Sequence, residues 1–188
     1  KNGKYLVQGL NGTIIIGNTD TGESREIILP QSRAYGNYKI AAVSNDGDKV
    51  YLATSNSFNP AAEDDEIDGP GGGSGLYEIE LSKNDDKVDG VRRLDVDKNG
   101  DTFTYQGWSP DAEDFDLSGD ERSIVFAIRD TADSTTWTDQ QVKIYQKNLE
   151  TGSIKRIDIS ESVDNIGYSG RPRSNFDGSK VLFESTLD

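Results

Sequence analysis

The chain has 188 residues, of which 32% are hydrophobic, and 34 acidic side chains against 20 basic ones give a net charge of −14. Such an acidic surface repels phosphate backbones, so nucleic acid is not an expected partner, and no apolar run approaches the roughly 18 residues of a membrane-spanning helix, so no membrane insertion is expected. Cysteine and histidine are absent, which removes disulfides, thiolate and imidazole metal sites, and every nucleophile system that relies on a histidine base.

Taken in order, the chain reads as short apolar strands between polar turns. Asn2-Gly3-Lys4 leads into Tyr5-Leu6-Val7, and strands at 13–18 and 24–29 then flank the turn Asp20-Thr21-Gly22. A strand at 40–44 precedes Asp46-Gly47-Asp48-Lys49, which leads into Val50-Tyr51-Leu52. Strands at 76–81 and 91–96 follow, joined by the longer turn 82–90. A strand at 114–118 precedes Asp120-Glu121-Arg122-Ser123 and then Ile124-Val125-Phe126. Strands at 141–149 and 153–159 flank Glu150-Thr151-Gly152. Last, a strand at 171–175 precedes Asp177-Gly178-Ser179-Lys180 and Val181-Leu182-Phe183. Asp-Gly between two β-type runs is a strong hairpin signal, because glycine supplies a positive φ at little cost.

The recurrence of one turn-plus-strand anchor four times predicts an all-β fold, a β-propeller of four-stranded antiparallel blades with strands a to d. A single propeller segment over 1–188 would hold about three blade periods: a partial blade at 1–35, blades at 36–97 and 111–160, and a partial blade at 170–188. Closed propellers usually need about 4–8 blades, so a larger ring reaching past this window is expected. Trp108-Ser109-Pro110-Asp111 imitates the anchor, but no apolar strand follows it, whereas Ser118-Gly119-Asp120 runs directly into Ile124. The second is therefore taken as the hairpin.

The run Ser174-Asn175-Phe176-Asp177-Gly178-Ser179-Lys180-Val181-Leu182-Phe183 resembles the WD40-like (PD40) repeat of TolB-type β-propellers. The Asp-Thr-Gly and Glu-Thr-Gly turns fit the corner between strands c and d of that repeat. The resemblance implies a fold and leaves the function open, since such propellers act as docking modules, as sensors and as the non-catalytic half of some peptidases.

In a four-stranded blade the b–c and d–a connections emerge on one face. Here the long connections, roughly 55–75, 95–113, 129–140 and 160–170, all fall in those classes, which places the working surface on that face. Its partner-binding candidates are Asp64, Asp65 and Glu66 in the first insertion, with Trp108 and Trp137 in others and Tyr145 nearby. Exposed loop tryptophan suits protein or carbohydrate contact, and the alternative is that both rings fold back over blade edges.

Asp95, Asp97, Asn99 and Asp101, with Gly100 at the bend, resemble the first half of a calcium loop, although Phe103 and Gln106 stand where further ligands belong. The alternative there is a solvated polar turn. Arg92-Arg93 is expected to be a strand-surface pair, and Arg171 a structural residue with an anion contact as its alternative role. The functional expectation is a non-catalytic interaction or scaffold propeller of an exported or surface protein, with a protein partner, within a larger assembly. Two alternatives stand beside it. One is a substrate-gating or supporting propeller of a larger serine peptidase or redox enzyme whose catalysis lies outside this chain. The other is a calcium-stabilised adhesion module. The missing cysteine points to an extracytoplasmic setting: periplasmic, cell-surface or secreted.

Overall fold

The computed structural model describes residues 4–10, 13–29, 38–54, 75–83, 86–96, 115–130, 141–157 and 169–185. All its elements are strands, and they divide into two compact units, residues 1–95 and 96–188. In the first unit β1 (Tyr5–Leu10), β2 (Thr13–Asn18) and β3 (Ser24–Ile28) form one antiparallel sheet. β4 (Tyr38–Val43), β5 (Lys49–Thr54), β6 (Gly75–Leu81) and β7 (Val88–Arg93) form a second. In the second unit β8 (Phe115–Leu117), β9 (Ser123–Asp130), β10 (Gln141–Asn148) and β11 (Ile154–Arg156) form a four-stranded sheet. β12 (Ser169–Ser174) and β13 (Val181–Ser185) pair beside it. These are four-stranded antiparallel blades of a β-propeller and parts of such blades, each strand paired with its neighbour in sequence.

Alternation along the strands builds the core of the first unit. Ile14, Ile16, Ile27 and Leu29 of the three-stranded sheet pack against Val50, Leu52, Tyr77, Ile79 and Leu81 of the four-stranded one. Each such side chain, fully buried, contributes on the order of 1.5–3 kcal/mol. In the second unit Phe183 of β13 covers Ala127, Val142 and Ile144. Both units thus stack one blade face on the next.

The turns between strands a and b repeat to the level of single hydrogen bonds. The amides of Ser44, Ser118 and Asn175 donate to the carbonyls of Lys49, Ser123 and Lys180 at 2.9, 2.8 and 3.0 Å. The Ser44 hydroxyl donates to Asp46 at 2.6 Å and accepts from the Lys49 amide at 2.9 Å. Ser118 repeats both contacts with Asp120 and the Ser123 amide, at 2.7 and 3.0 Å. In the third copy the role is split: Asn175 accepts from the Lys180 amide, while the Ser179 hydroxyl donates to Asp177.

These hydrogen bonds set the charge state of the turn aspartates. The Ser118 hydroxyl and the Arg122 amide hold the Asp120 carboxyl below its usual range, and the Ser179 hydroxyl and amide do so for Asp177. Burial pushes the Asp46 carboxyl up, and donors from Ser44 and Asp48 outweigh it to leave a net lowering. A carboxyl lowered in the folded state binds fewer protons than in the unfolded one, so its stabilisation is complete above the ordinary value of 3.8 and is lost as pH falls through the folded value. Thermal melts stepped from about pH 5 to about pH 2 are therefore expected to show a falling Tm, with a shallower fall when Ser44 and Ser118 are both alanine. An unchanged slope in that variant would refute this assignment.

Gly47 and Gly178 take positive φ at these turns, 79° and 69°, but the middle copy has Glu121 at φ 61°. A non-glycine residue in that region carries roughly 1–2 kcal/mol of strain. Glu121→Gly is accordingly expected to stabilise the chain by about 0.5–1 kcal/mol, after the glycine's extra unfolded-state entropy is subtracted. A urea midpoint that drops instead would show that the glutamate side chain, and not the backbone, dominates at this turn.

Candidate binding face

The turns between c and d complete the opposite picture to the long connections. Asn18 accepts from the amides of Asp20 and Thr21 at 2.9 and 3.3 Å, and Asn148 accepts from those of Glu150 and Thr151 at 3.0 and 2.7 Å. Gly22 and Gly152 close the two turns at φ 75° and 71°. The signal was present as a recurring Asn-x-acid-Thr-Gly, but reading the turn from the acid onward passes over the asparagine that caps it. Arg25, next to one such turn, donates to the Ser82 and Gly47 carbonyls at 2.6 and 2.8 Å. Gln146 does the same for the Gly178 carbonyl at 2.6 Å. In each unit the a–b and c–d turns therefore gather along one sheet edge, short and internally bonded. The b–c and d–a connections enter and leave at the other.

At that other edge the stems of the first unit are tied together. β6 begins at Gly75, where the segment 55–74 returns, and β7 ends at Arg93, before the segment 97–114 departs. Asp95 is fully buried between them. Its two carboxylate oxygens accept from Nε and Nη2 of Arg93 at 2.9 and 3.0 Å, and Oδ1 also accepts from the Leu76 amide at 3.2 Å. The Leu94 amide donates to the Leu76 carbonyl at 2.7 Å, so backbone and side chains close the same stem. Gly75 permits this approach, since a Cβ there would stand 3.0 Å from both Arg93 Nη2 and Asp95 Oδ1.

The guanidinium also lies over the Tyr77 ring, 5.7 Å from its centroid. Burial pushes the Tyr77 hydroxyl up to about 12, the nearby Arg93 charge opposing and Asp95 adding to the shift. Burial acts to lower Arg93, but the hydrogen bond and charge of Asp95 outweigh it and raise its value, so the guanidinium keeps its charge. Arg92 and Arg93 therefore have different fates. Arg92 is exposed and pairs with the buried Glu78 at 2.9 Å, as a strand-surface residue should. Arg93 departs from that expectation because the β7 alternation turns it toward the enclosed Asp95.

Asp95 is thus the one member of the calcium-loop candidates within the described residues, where its carboxylate is held by Arg93 and the Leu76 amide. Asp97, Asn99 and Asp101 lie outside the described residues, as do the partner-binding candidates Asp64, Asp65, Glu66, Trp108 and Trp137. Among the described residues no group of three or more acidic side chains is placed to hold a metal. Tyr145 sits on β10, within the strand expected at 141–149, half-buried and stacked on Phe126 with centroids 6.1 Å apart. It is paired in register with Phe126 and Arg156, as Tyr77 is with Leu52 and Arg93. Arg171 takes φ 51° and pairs with Glu184 at 3.4 Å, both side chains more than half exposed.

No family model and no curated protein matches the sequence. A solved structure does share the fold. The chain is similar to part of the tricorn protease, with a TM-score of 0.55 and 13% identity, over 98% of this chain and 14% of that one. It also overlays a protein assigned as dipeptidyl aminopeptidase IV from Bacteroides ovatus, with a TM-score of 0.49 and 12% identity, over 98% of this chain and 25% of that one. The chain therefore spans well under a third of either structure.

Proposed function

We propose that this chain is a non-catalytic propeller segment of an exported or surface protein, holding a protein partner against its long-connection face. One observation carries this reading. In each unit the described turns at one edge are short and closed by their own hydrogen bonds, whereas the long connections all leave from the other edge. In the first unit that edge is braced by a buried ion pair. A rigid scaffold with variable segments along one rim is how binding surfaces are usually positioned. The partner is a protein with basic groups, drawn to a chain of net charge −14 that concentrates Asp64, Asp65 and Glu66 in one insertion and places Trp108 and Trp137 in others.

The test is binding by the native polypeptide to the partner recovered by cross-linking in its own compartment. Replacing Trp108 and Trp137 by alanine, or neutralising Asp64, Asp65 and Glu66, is expected to weaken binding by about tenfold or more at unchanged Tm. Loss of binding on altering Asp20 and Glu150 at the short-turn edge, with the long-connection variants unaffected, would place the partner on the wrong rim and sink the reading.

The fold likeness to tricorn protease favours a second reading, in which the same face supports or gates a larger peptidase. It is an analogy at the level of fold. Labelling of the native polypeptide by a serine-hydrolase probe, outside residues 1–188, would move the proposal to this second form. A calcium-stabilised role would show as a Tm lowered by chelator.

A further inference from the structure

The corner that Arg93 and Asp95 close in the first unit has a counterpart in the second. The amides of Thr19, Leu81 and Leu149 donate to the carbonyls of Lys4, Asp48 and Arg122, each at 2.8 Å, so β2, β6 and β10 share one register. In that register Tyr77 corresponds to Tyr145 and to Ile15. Their partners on the next strand are Arg93, Arg156 and Glu26. Two residues further along the chain stand Asp95, Asp158 and Ile28.

Two sheets therefore carry tyrosine, arginine and aspartate at three equivalent positions, and the sheet β1–β3 carries none of the three. The backbone does not make this difference. The Leu94 amide bonds the Leu76 carbonyl at 2.7 Å, the Ile157 amide bonds the Ile144 carbonyl at 2.9 Å, and Ile27 pairs with Ile14 at the same rung. Tyr145 is half-buried and Arg156 exposed, so the second corner is more open than the first. Asp158 lies outside the described residues.

What separates the sheets is the length of chain attached to this corner, which joins the start of strand c to the end of strand d. Between described strands, 55–74 and 94–114 enter and leave at the Tyr77 corner, and 131–140 and 157–168 at the Tyr145 corner. At the corner of Ile15 the same stretches are 11–12 and 29–37. A longer connection has more conformational freedom to impose on the rung where it ends. A guanidinium–carboxylate pair over an aromatic ring opposes that, being charge-assisted and directional. Ile15, Glu26 and Ile28 supply no cation for such a pair.

We propose that Arg156 and Asp158 are positioning residues of the long-connection face. Their ion pair, laid over Tyr145, fixes the corner of the second unit from which two long connections spring. This rests on the reading of that face as the binding surface, and it adds the residues that hold the surface in place.

The experiment needs no partner, so its failure and a failure of the partner reading are separate results. Arg156→Ala, Asp158→Ala and the double variant would be made in the native polypeptide, and amide exchange followed residue by residue by mass spectrometry. The Ile157 amide reports the corner. The Asn148 amide, bonded to the Ser153 carbonyl at 2.8 Å, reports the opposite end of the same strand pair. Each single variant is expected to speed exchange at Ile157 by about tenfold or more, with Asn148 within about twofold of the parent. The double variant should be no faster than the faster single one, because the two residues act as one pair. Arg156→Lys, which keeps the charge and loses the paired donors, should fall between parent and alanine. An unchanged Ile157 in either single variant overturns the proposal. So does equal acceleration at Asn148, which would mean a general loss of stability, or additive effects in the double variant.

Discussion

Arg93→Ala is expected to lower stability by about 3–5 kcal/mol, because it leaves the Asp95 carboxylate buried without its counter-charge. Asp95 is fully buried, and Arg93 supplies a donor to each of its oxygens. The Leu76 amide donates to the same carboxylate at 3.2 Å, but a neutral donor does not replace the lost positive charge. Asp95→Asn keeps an acceptor for that amide and removes the buried charge, so a smaller loss of about 1–3 kcal/mol is expected. The double variant Arg93→Ala, Asp95→Ala should fall well short of the sum of the single ones. Urea unfolding of the set decides it. An Arg93→Ala variant within about 0.5 kcal/mol of the parent would mean the pair behaves as a surface bridge and braces nothing.

The second large effect is at Gly178. Its φ of 69° already disfavours a side chain, and a Cβ there would press into the Ser123 hydroxyl and stand 3.3 Å from the Gln146 amide nitrogen. Those are the groups of the latch that joins β10 to the final hairpin. Gly178→Ala is expected to cost about 2–3 kcal/mol, combining backbone strain with displacement of the latch. Gly152 is the natural control, having φ 71° with nothing within 4 Å of the added carbon. Gly152→Ala should cost only about 1 kcal/mol, the strain by itself. Equal losses at the two sites would show that the latch contributes nothing measurable. The comparison matters for assembly, because the Arg25 bond to the Gly47 carbonyl links the stacked sheets of the first unit in the same way.

Much of the fold was legible because its signals are local. Asp-Gly before a β-branched run states both a turn and the strand that follows, and it sets the pairing next to the turn, Val43 with Val50 and Ser174 with Val181, up to a register shift further along each pair. Even the copy without glycine, at Glu121, was placed by the strand behind it. The c–d corners were read two residues late, since the capping role of Asn18 and Asn148 depends on side-chain geometry that composition does not display. β7 starts at Val88, earlier than the apolar pattern suggests, because the Ser82 amide bonds the Lys87 carbonyl and closes the turn sooner.

The candidate site was legible only in outline. The position of the long connections follows from strand order, which period-two patterning reveals. The brace beneath them does not, because Arg93 and Asp95 differ from surface charges only in what β6 brings against them. Sequence by itself determined the strands, the turns and the four-strand period, all set by interactions between residues close along the chain. Tertiary structure decided which of two neighbouring like residues is enclosed: Arg93, 13% exposed, and not Arg92, 47% exposed. The physical reason is that burial depends on what the fold brings against a side chain, here β6 with Leu76 and Tyr77, and that comes from a distant part of the sequence.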